Sequence, residues 1–175
     1  MKNINRYIIN SLLVATSFFL GFISAQYVLN IYYSSKFKVF YWDSDPILVV
    51  CPSSRYTEDA VDDALYFWEK KGHSVSFVHV DRDNSVCKKG KLRGFIFLRG
   101  DEGAVTSNSY AITIRHAERF QLYHAEMQIP NENLHMPLLL EHELGHAFGF
   151  THCNEKGHIM HQTYSRMGSD FYYPD

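Results

Sequence analysis

The chain has 175 residues, a length that fits one domain with an appendage rather than two domains. Its formal net charge of -2 gives no reason to expect a nucleic acid as the partner. Hydrophobic residues make up 46% of the chain, and they are unevenly spread along it.

An apolar segment opens the chain: residues 7–35 contain no Asp, Glu, Lys or Arg, and basic residues flank them on both sides. A bilayer crossing requires about 20 apolar residues, which residues 12–33 supply. A cleaved signal peptide is the alternative, with Ser24-Ala25 before Gln26 as a small-residue cleavage site. The uncharged length favours a membrane anchor over a cleaved signal.

Both interpretations place the rest of the chain outside the cytoplasm, either anchored to a membrane or secreted. We therefore predict an N-terminal hydrophobic segment at residues 1–36, which contacts the membrane if it is retained, and a folded domain at residues 37–175.

The folded part contains the three cysteines, Cys51, Cys87 and Cys153. An odd count in an exported protein leaves at least one thiol free or paired between molecules. We expect a Cys51–Cys87 bridge because Cys153 adjoins a candidate metal ligand.

Strand-like and helix-like blocks alternate in the folded part. Residues 47–51 form a short apolar run between two prolines, which predicts a buried strand. A helix follows, for which Thr57 suits the N-cap, Lys70 and Lys71 suit the last turn, and Gly72 suits the residue after the end. Its apolar residues fall on one stripe that can pack against a sheet, namely Ala60, Val61, Ala64, Leu65 and Trp68.

The remaining elements predict the fold class. Four further strand candidates lie at residues 75–80, 94–98, 111–114 and 123–129. A strand, a helix and a strand in succession indicate a right-handed crossover between parallel strands. A second apolar helix has Pro137 in its first turn and ends near Gly149. We therefore predict an α/β fold with a twisted, mostly parallel sheet, one antiparallel edge strand, two main helices and a short C-terminal subdomain.

The second helix carries the motif H-E-x-x-H-x-x-G-x-x-H at residues 142–152, without a mismatch. Residues four apart on a helix share a face, so the imidazoles of His142 and His146 can bind one metal ion. Gly149 permits the positive φ of a sharp turn, after which His152 can reach the same ion. Three imidazoles leave a coordination position for water, as in catalytic zinc sites, whereas structural zinc sites have four protein ligands.

Glu143 is displaced from His142 by one residue, which places its carboxylate beside the metal rather than on it. From there the carboxylate can take a proton from a water molecule at the metal. The motif therefore predicts a zinc-dependent endopeptidase with Zn²⁺ as cofactor, Glu143 as the catalytic residue, and a peptide or protein as substrate.

The motif, followed by Gly157-His158-Ile159-Met160, resembles the metzincin clan of zinc metalloproteases and, within it, the matrixin-like catalytic domains. The resemblance implies a methionine turn at Met160 beneath the zinc and a substrate extended along an edge segment at residues 104–110. Gln162 stands where astacins and serralysins have a tyrosine, and Tyr164 is either its substitute or a packing residue. No cysteine-containing inhibitory propeptide is visible.

Three alternatives stay open. A membrane-tethered binding module would hold a purely structural zinc, with His158 or Cys153 as the fourth ligand. An adhesion protein would use the tripeptide Arg99-Gly100-Asp101. A second metal site would combine imidazoles with a carboxylate from different strands, drawn from His79, Asp81, His116 and His124.

Overall fold

The computed structural model describes residues 37–100 and 109–173. Six β-strands and two α-helices occur in this part of the chain. The strands are β1 (Tyr41–Trp42), β2 (Ile47–Val50), β3 (Phe77–Val80), β4 (Phe95–Arg99), β5 (Ile112–Glu118) and β6 (Gln121–Gln128). The helices are α1 (Glu58–Glu69) and α2 (Leu139–Ala147), and short 3₁₀ helices lie at Cys87–Lys89, Asn131–Asn133 and Tyr164–Arg166.

The strands form one sheet in the order β1-β6-β4-β2-β3, and β5 also pairs with β6. β5 runs antiparallel to β6, and the other pairings are parallel. The predicted α/β fold, with a mostly parallel sheet and one antiparallel strand, is therefore confirmed. Two features were not predicted: the two-residue strand β1, and the continuation of β5 to Glu118 through a register irregularity between His116 and Ala117.

Helix α1 begins and is followed by glycine as predicted, but it ends at Glu69, so Lys70 and Lys71 lie just beyond its last turn rather than in it. The Thr57 hydroxyl accepts a hydrogen bond from the Ala60 amide at 3.2 Å, which caps the first turn. Gly72 adopts a φ of +79° just beyond the end, a conformation that glycine tolerates best. The buried face comprises four residues of the predicted stripe, namely Val61, Ala64, Leu65 and Trp68.

Helix α2 begins later than predicted. Pro137 does not lie in its first turn, because Leu138 adopts a left-handed φ of +64° and the helix starts at Leu139. The helix ends at Ala147, as expected near Gly149, which has a φ of +105°. A Cβ at Gly149 would lie 2.0 Å from the Phe40 carbonyl oxygen, so glycine is required both for the turn and for this close approach.

The two helices pack through Trp68, which is fully buried. Its indole nitrogen donates to the Glu141 carbonyl oxygen of α2 at 2.7 Å. Gly145 of α2 makes this contact possible, because a Cβ there would lie 2.6 Å from Trp68 Cζ2 and 2.3 Å from Met160 Sδ. Helix α2 is thus enclosed between α1 and the loop that carries Met160.

Two hydrophobic clusters form in the described residues, and strand alternation divides them between the faces of the sheet. Leu48 and Val50 belong to the larger cluster with both helices, whereas Val49 belongs to the smaller one. The smaller cluster contains the Cys51–Cys87 disulfide, which confirms the predicted pairing and leaves the Cys153 thiol free.

The predicted hydrophobic segment at residues 1–36 lies outside the described residues. Within the described ranges, no helix has both the length and the apolar character that a membrane crossing requires.

Candidate metal centre and active site

Three imidazoles converge at the end of helix α2. His142 and His146 lie on the same face of the helix, and the turn at Gly149 returns the chain so that His152 meets both. The Nε2 atom of His152 lies 3.3 Å from Nε2 of His142 and 3.0 Å from Nε2 of His146. In the described part of the chain, these are the only three or more His, Cys, Asp or Glu side chains that lie close enough together to share a metal ion.

Backbone carbonyl groups orient two of the rings. His142 Nδ1 lies 2.7 Å from the Ile159 oxygen, and His146 Nδ1 lies 2.9 Å from the Phe150 oxygen. A carbonyl oxygen can only accept, so each Nδ1 carries the hydrogen and each Nε2 keeps a free lone pair. Both lone pairs are therefore available to a cation at the point where the rings meet.

Burial keeps the imidazoles neutral. Desolvation lowers the pKa of His142 to about 4 and the pKa of His146 well below its ordinary value of 6.5. The pKa of His152 is lowered as well, by burial and then by the nearby Arg115 and His161 charges. A neutral imidazole is the form that binds metal ions.

The donor set fits zinc. Tetrahedral coordination with Zn–N bonds of about 2.0–2.1 Å separates neighbouring ligand nitrogens by about 3.3 Å. The Nε2 separations of 3.0 and 3.3 Å agree with this spacing. Both separations from His152 are therefore compatible with a three-histidine zinc site.

The residues after His152 pack against helix α2. Met160 is fully buried, and its Sδ lies against Gly145 of α2. Its carbonyl oxygen accepts from the Cys153 amide at 2.9 Å, which ties the Met160 loop to the segment after His152. This is the place that the metzincin resemblance implies for the methionine turn.

Glu143 lies beside the three imidazoles with only 5% of its surface exposed. Burial raises its pKa to about 7, against the opposing effects of a Thr113 hydrogen bond and the Arg115 charge. The Thr113 hydroxyl lies 2.5 Å from Glu143 Oε2 and 3.3 Å from the Glu143 carbonyl oxygen. The carboxylate is thus held from one side by strand β5.

An open cavity of about 590 Å³ lies over these groups. Its lining includes residues 109–113, just before and at the start of β5, together with Arg115 and residues 161–164. The three imidazoles and Glu143 line it as well. The cavity is therefore a cleft that opens onto the candidate metal centre.

The matrixin family profile matches residues 52–172, which is more than half of the chain. The chain belongs to the matrixin family. This matrixin carries a metallopeptidase domain, for which the family implies zinc and a peptide or protein substrate. Searches of curated proteins and of solved structures found no significant match.

The alternative ligands of this matrixin have other contacts. His158 is fully buried, its Nδ1 accepts from the Met160 amide at 2.9 Å, and its Nε2 lies 2.9 Å from the Tyr172 oxygen. Cys153 does not belong to the group of converging side chains. Tyr164 lines the cleft and donates from its hydroxyl to the Pro137 carbonyl oxygen at 2.9 Å.

The remaining sequence candidates do not form sites in the described residues. His79 lies in β3 and Asp81 directly follows it, whereas the stacked rings of His116 and His124 lie on β5 and β6, and two strands separate β3 from β6. Arg99 of the adhesion tripeptide is 9% exposed and donates to the Cys87 carbonyl oxygen at 2.7 Å, so its side chain is not displayed. The proposed edge segment at residues 104–110 lies mostly outside the described residues.

Thr113 and Arg115 of the cleft were missed by the sequence analysis. Both lie on β5 two residues apart, so they point to the same side of the strand. The alternation of side chains along a strand predicts that these two share a side, but nothing in the sequence of β5 indicates that this side faces Glu143.

Proposed function

We propose that this matrixin is a zinc-dependent endopeptidase in which His142, His146 and His152 bind the metal and Glu143 is the general base. The observation that carries the proposal is the convergence of the three Nε2 atoms beside a buried carboxylate in an open cleft. A zinc ion held there would lower the pKa of a bound water and polarise the substrate carbonyl group.

The chain's own groups supply the proton transfers. Glu143 takes a proton from the attacking water and later gives it to the leaving amine nitrogen. Burial makes the carboxylate a better proton acceptor, which suits its role as the base. The Thr113 hydroxyl holds Oε2 of Glu143, which leaves Oε1 to face the water.

The substrate is proposed to bind as an extended strand. Strand β5 pairs with β6 on one side, and residues 109–113 line the cleft at its beginning. An extended peptide laid beside them can form backbone hydrogen bonds, as in other cases of strand addition. This arrangement directs the scissile bond over the three imidazoles.

The chief alternative is a binding module with a closed, structural zinc site. It requires a fourth protein ligand, and both ring nitrogens of His158 already have backbone partners. The endopeptidase is therefore the better supported of the two. We also propose that the domain works outside the cytoplasm, anchored or secreted, since disulfides such as Cys51–Cys87 persist in oxidising compartments.

The Glu143→Ala variant tests the base. We expect peptide hydrolysis to fall by about 10²–10⁴-fold, because a positioned general base contributes that much. Bound zinc, measured by elemental analysis, and the melting temperature should stay close to those of the unaltered chain. Hydrolysis is measured on a mixed peptide library with and without a zinc chelator.

The matched control is Glu141→Gln, which alters a half-buried carboxyl group on the same helix that lies outside the motif. It should retain most of the activity. Full activity of Glu143→Ala would reject Glu143 as the base, and activity that survives chelation would reject the zinc mechanism.

A further inference from the structure

Arg115 brings a positive charge into the cleft. It lies on β5, is half-buried, and lines the cavity together with the three imidazoles and Glu143. The zinc motif does not require a cation at this place. The contacts of Arg115 therefore need an explanation of their own.

The Arg115 guanidinium group is held firmly at one end. Its NH1 nitrogen donates to the Phe150 carbonyl oxygen at 2.9 Å, and the same oxygen lies 2.9 Å from His146 Nδ1. The guanidinium carbon also lies 5.0 Å from the centre of the Phe40 ring, within the range of a cation–π contact. Arg115 and the His146 ring are thus joined through one acceptor.

The same group lacks a counter-charge in direct contact. Among the described residues, no Asp or Glu oxygen lies within 4.0 Å of it, whereas Arg93 lies 2.8 Å from Glu118. Glu143 attracts it from a greater distance, but the Glu143 carboxylate is bound by Thr113. A guanidinium group offers five N–H donors, and among the described residues the Phe150 carbonyl oxygen is the only hydrogen-bond acceptor of the Arg115 group.

A half-buried, unpaired cation is costly unless an anion completes it. Carboxylates fit guanidinium best, because two parallel N–H···O bonds can form. The cleft is where the substrate binds under the proposed function, so the substrate is the source of such a group.

We propose that Arg115 is a specificity-determining residue that binds a carboxylate of the peptide close to the scissile bond. The proposal rests on the proposed function. The carboxylate is either an Asp or Glu side chain or the C-terminal carboxylate of a short product-side segment. A peptide that offers a neutral amide at that place leaves the guanidinium group without this partner and is hydrolysed less efficiently.

Matched peptides test the proposal in the full-length chain. One set of fluorogenic peptides places Glu or Gln at each position flanking the scissile bond in turn, and a second set ends in a free acid or an amide. At one position we expect kcat/KM to favour the carboxylate member by about 10- to 100-fold, the range of a charged hydrogen bond. The set in which the preference appears identifies the source.

The Arg115→Gln variant should abolish that preference and change the neutral peptides much less. Arg115→Lys keeps the charge without the paired geometry and should retain part of the preference. Arg93→Gln removes an exposed arginine paired with Glu118 and should change nothing. If Arg115 instead stabilised charge in the transition state, kcat would fall equally for both members of each pair.

Binding provides a readout that does not depend on hydrolysis. The same peptide pairs are titrated against Glu143→Gln with Arg115 intact and against the Glu143→Gln, Arg115→Gln double variant, by fluorescence anisotropy. If the Kd values show a carboxylate preference that requires Arg115, the inference is upheld even when no peptide is cleaved by the unaltered chain. That result would reject the proposed function alone. If the unaltered chain prefers carboxylate peptides neither in binding nor in cleavage, the inference is overturned, whatever the variants do.

Discussion

At the scale of single residues, the candidate site depends on groups that fix the orientation of their neighbours. Backbone oxygens of Ile159 and Phe150 set the ring orientation of two imidazoles, and the Thr113 hydroxyl sets that of the Glu143 carboxylate. These partners touch neither the proposed metal nor the scissile bond. They matter because a base acts only from within hydrogen-bond reach of its proton.

The Thr113→Val variant isolates one of these contacts. The change keeps the shape of the side chain and removes the hydroxyl that donates to Glu143 Oε2. We expect kcat to fall by about 10- to 100-fold with little change in KM, since a hydrogen bond to a charged group contributes about 1.5–3 kcal/mol. Thr113→Ser keeps the hydroxyl and should restore most of the activity. Equal losses in both variants would indicate that packing, rather than the hydrogen bond, is responsible.

At the scale of elements, the residues of helix α2 are determined more by the side chains that pack against it than by intrinsic helix propensity. Alanine is a better helix former than glycine by about 1 kcal/mol. Even so, Gly145 occupies the middle of the helix, because Trp68 and Met160 leave no room for a Cβ. The glycine brings the zinc motif, helix α1 and the Met160 loop into direct contact.

Gly145→Ala is therefore expected to destabilise the protein despite the gain in helix propensity. Overpacking of this kind costs about 1–3 kcal/mol, which a urea titration can measure. The expected coupling partner is Met160, whose Sδ would lie 2.3 Å from the added Cβ. In a double-mutant cycle with Met160→Ala, the combined loss should be smaller than the sum of the single losses. Simple additivity would show that Met160 is not the obstacle.

Sequence signals predicted those structural features that depend on residues close together in the chain. The N-cap at Thr57 and the glycine at Gly72 bound helix α1 by contacts within a few residues, and the three imidazoles lie within one eleven-residue motif. The start of α2 was predicted wrongly because the left-handed Leu138 has no local sequence cause. Thr113 was missed because it reaches Glu143 across 30 residues of sequence. That contact depends on how the sheet packs on the helix.

At the scale of the whole molecule, the two faces of the sheet are stabilised by different means. In the described residues, both helices cover one face, while the smaller cluster on the other face holds the Cys51–Cys87 bridge. The bridge joins residues 36 apart, for which chain-entropy models give a stabilisation of about 4 kcal/mol. The loop that delivers Cys87 must therefore be well ordered.

Asp81 orders that loop. Its side chain is fully buried, Oδ1 accepts from the amide and hydroxyl groups of Ser85, and Oδ2 accepts from the amides of Val86 and Cys87. Burial acts to raise the pKa of Asp81, but the hydrogen bonds to the charged form outweigh it, and the pKa lies below its ordinary value of 3.8. The folded protein thus binds this proton less readily than the unfolded chain does.

A lowered carboxyl pKa predicts the direction of the pH dependence. The stabilisation from Asp81 is fully present above pH 3.8 and is lost as the pH falls through the lower pKa of the folded state. Asp81→Asn should therefore lower the melting temperature at pH 7 and flatten its dependence on pH below about 4. Asp62→Asn changes an exposed carboxyl group of helix α1, away from this loop, and should leave that dependence nearly unchanged. An equally steep acid decline in Asp81→Asn and in the unaltered chain would show that other carboxyl groups govern acid unfolding.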